Sequence, residues 1–214
     1  LYFSVYVKQI SYLLKTLGIN INTVPVLDIR RKTSNMIISD RAYSEKVKII
    51  SKIGDICIQK FHQNRIGTVI KHIPGHGLAN VDSHKKLPII NKNLNYLLKN
   101  DFYTFKNKNS LIAMTGHLLF NKIDPEYNVT YSKKINKLIR NYIGFKNLII
   151  TDDLSMKALK ETLSQRVKMS FIGGCNLVLH CNGNIREMEI VAKNSPKINK
   201  FILKKTSQLN EIMR

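Results

Sequence analysis

The chain has 214 residues, 43% of them hydrophobic, and carries 35 basic against 14 acidic residues, a net charge of +21. That suits one domain, residues 1–214, with a real core; no apolar run approaches the roughly 18 residues of a membrane span, so no membrane partner is expected. The charge invites nucleic acid, but the lysines are scattered with no aromatic-interleaved basic stripe, so no specific nucleic-acid partner is expected either.

In chain order, residues 2–17 read as a helix closed by Gly18. Residues 19–27 form the first strand candidate, followed by a helix over 44–63. The next units pair a strand at 67–71 with a helix at 93–105, and a strand at 111–115 with a helix at 132–142. A strand at 148–151 is followed by a helix at 156–172, and a strand at 177–179 by a helix at 199–213. Gly144 and the pair Gly173 and Gly174 stand where helices should stop. The strands are short and apolar without alternation, as in parallel strands buried on both faces. Repeated strand–helix units argue for an α/β fold with right-handed crossovers. Each strand exits into polar residues: Asp28, Lys71 and His72, His117, Asp152 and Asp153, then His180 and Asn182. Active sites of (β/α)₈ barrels gather at those strand ends. No G-x-G-x-x-G turn follows any strand, which counts against an open doubly wound sheet.

The densest chemistry lies in residues 71–84, which hold His72, His76, His84, Asp82 and Lys71 around Pro74 and two glycines. Asp82 and His84 are two apart, so in extended backbone they point the same way. The carboxylate can fix the imidazole tautomer and leave His84 as a general acid/base. Lys71 and His72, directly after a strand, can bind hydroxyls and keep a nearby carboxylate ionised. His76 reads as loop structure. His117 either lines the pocket or braces the loop, and His62 reads as a surface helix residue. A metal-dependent hydrolase using His72, His76, His84 and Asp82 is the rival from another class. Cys57, Cys175 and Cys181 form no CxxC pair, so neither disulfides nor a zinc ribbon is expected. Residues 1–7 are apolar without a basic leader or cleavage site, and a reducing, cytoplasmic setting is the expectation.

Several segments together resemble the family 3 glycoside hydrolases, specifically bacterial β-N-acetylhexosaminidases of peptidoglycan recycling. They are TVPVLDI (23–29), SDRAYS (39–44), KHIPGHGLANVDSH (71–84), MTGHLLFNKIDPEYNVTYS (114–132), LIITDDLSM (148–156) and GGCNLVLHCN (173–182). The resemblance implies a TIM barrel and assigns Asp152 as nucleophile and His84 as acid/base, with Asp82 its partner. It makes Arg41, Lys71 and His72 sugar-binding residues. The implied reaction is retaining hydrolysis of terminal β-N-acetylglucosamine from muropeptides through a covalent glycosyl-enzyme, with no metal or cofactor. Asp153 is the rival nucleophile, since strand neighbours face opposite ways. Typical TIM barrels have about 250 residues and eight strands. Five βα units are read here, so an incomplete barrel is expected, lacking its amino-terminal strands and half of the sugar clamp. Its inner wall should then face water or a makeshift partner, and the open edges should favour self-association. An impaired remnant or sugar-binding fragment is the alternative function.

Overall fold

The computed structural model describes residues 2–31, 38 and 40–214. Helix α1 (Tyr2–Thr16) leads through Gly18, whose φ of 72° needs no Cβ, into strand β1 (Ile21–Asn22). Helix α2 (Val47–Gln63) precedes β2 (Gly67–Ile73). The short helix α3 (Leu94–Lys99) and a 3₁₀ turn (Tyr103–Phe105) precede β4 (Ile112–Thr115). Strands β3 (Ile89–Ile90) and β5 (Leu119–Phe120) make a separate parallel pair. Helix α4 (Lys133–Leu138) runs into a π turn (Ile139–Ile143) before β6 (Leu148–Asp153). Helix α5 (Leu163–Gly173), β7 (Leu177–Leu179), α6 (Ile185–Asn194) and α7 (Lys200–Met213) complete the order.

All five expected strands join one parallel sheet in the order β1-β2-β4-β6-β7. The order never reverses, so the sheet is an arc of a barrel wall and not a doubly wound sheet. The arc is a half-barrel; among the described residues no further strand closes it.

Strand residues alternate between two apolar layers. Ile70, Ala113 and Ile149 pack with Ile50, Ile58, Ile135 and Ile139 of the helices outside. Val69, Ile112, Met114 and Leu148 form a second cluster on the opposite, inner face. Ile202 and Leu209 of α7 join that inner cluster. The inner wall, expected to meet water or a makeshift partner, is thus partly covered by the chain's own last helix.

Several sequence readings need correction. The helix expected from 156 begins only at Leu163, because Thr162 and Gln165 form a capping box there. Helix α6 was not expected at all. His62, read as a surface residue, is half-buried and hydrogen-bonded to the Thr68 hydroxyl (Nε2···Oγ1 3.0 Å). No helix among the described residues is long and apolar enough to cross a membrane.

Candidate active site

Strand β2 brings Lys71 and His72 to the end of the sheet. Its register against β4 shifts between Lys71 and Ile73, and such a bulge re-aims side chains. Both residues line one cleft of about 340 Å³, with Arg41, His84 and Asp152. Asp152 shares the alternation of Leu148 and Ile150, so it belongs to the inner face. The cleft therefore sits on the inner wall at the carboxyl ends of the strands, as the sequence led one to expect. Four of the five expected cleft residues come from strand ends or the loop after β2; Arg41 comes from the segment after β1.

The loop after β2 is held by close approaches. A Cβ on Gly77 would collide with the Ile29 carbonyl oxygen, and one on Gly116 would stand 2.7 Å from the His76 ring. Further along, His84 takes up its expected pairing: its backbone N–H and ring Nδ1 lie 2.8 and 3.0 Å from Asp82 Oδ1. The His84 N–H and ring hold the Asp82 carboxyl below its usual range, against a desolvation effect that would raise it. The His84 side chain is 65% exposed, so the pair stands on an open loop. The His84 carbonyl accepts from Lys157 N–H (3.3 Å), tying this loop to the one after β6.

Burial pushes the Lys71 ammonium down, and the neighbouring Arg41 adds to this; Asp152 and Asp28 oppose it. Two cations and the Asp152 carboxylate thus share a small volume. Lys71 Nζ also donates to the Thr23 hydroxyl (3.2 Å).

Asp152 and Asp153 separate cleanly. Asp153 accepts from Ser155 N–H (3.0 Å), the Ser155 hydroxyl (2.5 Å) and Cys181 N–H (3.1 Å). Burial alone would raise its carboxyl, but these donors hold it low. Its carboxylate is committed to the loop, whereas Asp152 faces the cleft. His117 is fully buried and braces the same loop. Its Nε2 stands 3.1 Å from the Asp153 carbonyl and so carries the proton, leaving Nδ1 to accept from Thr130 Oγ1 (2.8 Å). Of the two roles open to His117, the structure shows the brace.

Two residues were undervalued in the sequence. His76 is 3% exposed yet lines the cleft, its ring centroid 5.4 Å from that of His72. Burial, then His72, push its pKa down to about 4, so it is neutral. Asp28, noted only as a strand exit, is buried beneath both and accepts from His72 Nδ1 (2.7 Å) and His76 N–H (2.6 Å). The signal available was its place directly after an apolar run; its partners were not readable. The rival metal set is not assembled: among the described residues no three His, Cys, Asp or Glu side chains are grouped to hold an ion.

A parallel half-barrel with carboxylates, histidine and cations at its strand ends has the make-up of a glycoside hydrolase wall. The chain belongs to glycosyl hydrolase family 3: the model of that family's N-terminal domain matches residues 6–206. A β-hexosaminidase from Nitrosomonas eutropha is 29% identical over 184 residues, 82% of this chain and 53% of the relative. The chain thus spans about half the length of the curated relatives it matches. A family 3 β-N-acetylglucosaminidase from Paenibacillus sp. superposes with a TM-score of 0.85 at 23% identity, over 96% of this chain and 42% of that one. NagZ from Neisseria gonorrhoeae, in complex with N-trifluoroacetyl-D-glucosamine, gives 0.84 at 23% identity, over 96% and 62%. At that identity the two structures speak for the fold.

Proposed function

We propose that this chain carries the catalytic wall of a retaining β-N-acetylhexosaminidase. One observation carries the reading: Asp152 and loop-borne His84 open on the same cleft as Arg41, Lys71 and His72. Asp152 attacks the anomeric carbon while His84, oriented through Nδ1 by Asp82, uses Nε2 to protonate the leaving oxygen. The bond to the leaving group breaks and a glycosyl ester forms on Asp152. Water then attacks the ester, giving its proton to His84 and freeing the carboxylate. Arg41 and Lys71, with His72, hold sugar hydroxyls beside Asp152. His84 is exposed on its loop, within reach of a leaving group at the mouth of the cleft that it lines with Asp152.

The substrate class we propose is terminal β-N-acetylglucosamine on peptidoglycan-derived muropeptides, processed in the cytoplasm. The hexosaminidase relatives and the glucosamine derivative bound by the Neisseria structure support the sugar. No metal or cofactor enters the scheme. Among the described residues no further strand pairs with β1 or β7, which favours a second reading, a sugar-binding fragment with impaired turnover and self-association through those edges. Release of nitrophenol from nitrophenyl N-acetyl-β-glucosaminide tests the proposal. Turnover lost in Asp152→Ala supports it; sugar binding without turnover in the unaltered chain supports the second reading.

A further inference from the structure

The Asp28 carboxylate is 1% exposed and has an unusually full set of donors. The His72 backbone N–H lies 3.2 and 3.4 Å from its two oxygens, the His72 ring Nδ1 lies 2.7 Å from Oδ2, and the His76 N–H lies 2.6 Å from Oδ1. An ionised carboxylate only accepts, so the ring nitrogen facing it must carry a proton. Burial would raise the Asp28 carboxyl, yet His72 and His76 hold it below its usual range, consistent with an ionised acceptor. His72 spans the gap between this buried anion and the cleft that it lines.

We infer that Asp28 is the positioning residue of His72: it takes the Nδ1–H and thereby leaves Nε2 as the ring nitrogen for the ligand. A neutral His72 then offers a lone pair at Nε2, and an imidazolium offers an N–H. A hydroxyl is the ligand group that pairs with either, because it both donates and accepts. The cleft thus selects a polyol at this point, which deepens and rests on the sugar reading above. The same carboxylate holds the His76 backbone, so the ring's tautomer and the start of the loop are set by one group. His76, neutral, packs with its ring centroid 5.4 Å from that of His72 and adds no second charge there.

The role can be read without turnover. In protein labelled with ¹⁵N-histidine, His72 should show a protonated Nδ1. Adding N-acetylglucosamine should shift its Nε2 resonance and leave Nδ1 unmoved. An Nε2–H tautomer in the unaltered protein would overturn the proposal. Asp28→Asn puts an amide donor against the ring and should weaken kcat/KM by about 10–100-fold with a shift toward Nε2–H. Should that variant fold poorly, the spectrum of the unaltered protein still decides. In a His72→Gln background, Asp28→Asn should cost little further sugar affinity. The same loss in both backgrounds would make Asp28 a backbone clamp and nothing more. Because the tautomer is read in free protein, a correct tautomer with no response to sugar would sink the sugar reading and leave the positioning role standing.

Discussion

At the scale of single residues, the acid/base assignment has a kinetic signature. His84→Ala should slow poor leaving groups far more than nitrophenol, which departs without protonation. Equal losses for both would remove His84 from the acid role. Asp82→Asn should leave the fold intact, because Asp82 is on an open loop, and should lower kcat/KM by about 10²–10⁴-fold through the wrong His84 tautomer. Unchanged kcat/KM would reduce Asp82 to a loop residue. These residues were legible because their relations are local: Asp82 and His84 are two apart, and Lys71, His72 and Asp152 end strands. Asp28 and His76 were not, since the Asp28 carboxylate meets donors 44 and 48 residues away. No local pattern encodes which loop a buried carboxylate will clamp.

At the scale of elements, the strands were legible from apolar composition alone, because parallel strands buried on both faces leave little else to read. Helix α6 was hidden for the opposite reason. None of its residues is buried, and its start rests on Asn184, which caps the backbone N–H of Arg186 and Glu187. Only Val191 packs into the cluster around Val167 of α5. Helix α7 was visible as a helix, but its periodicity could not say that Ile202 and Leu209 would turn to the inner wall. That docking is testable. Leu209 is 6% exposed against Val69, Ile112 and Leu148, so Leu209→Ala should cost about 2 kcal/mol. Denaturant unfolding measures it, and a loss near zero would mean α7 is a loose tail. On the loop after β2, Gly77→Ala forces a methyl into the Ile29 carbonyl. It should displace the loop and lower kcat/KM even where the protein still folds; unimpaired catalysis would show that this approach is not needed.

At the scale of the whole molecule, stability should decline with mild acid before the carboxylates titrate. His76 is held near 4 in the fold, chiefly by burial, against 6.5 for the free side chain. Between those values the unfolded chain binds a proton that the folded one refuses, so stability falls as pH drops from about 6.5 toward 4. For His76 alone this is about 3 kcal/mol, and burial of His117 and His62 acts with the same sign. Asp28 acts in the same direction but at lower pH: its depressed carboxyl stabilises the fold above the free carboxylate range, and that contribution is lost as pH falls below it. Urea midpoints at about pH 8 and pH 5 should therefore differ, and equal midpoints would contradict the burial of these histidines.

The half-barrel itself bears on catalysis, because among the described residues no further strand pairs with β1 or β7. On the proposed reading this wall suffices to place a sugar's anomeric carbon on Asp152. A fluorinated N-acetylglucosaminyl fluoride, which forms the glycosyl-enzyme readily and releases it slowly, tests that claim by mass spectrometry of the intact chain and its peptides. One added sugar is expected, carried by the peptide at Asp152 and absent in Asp152→Ala. No adduct on the folded chain, or an adduct carried by Asp153, would contradict it.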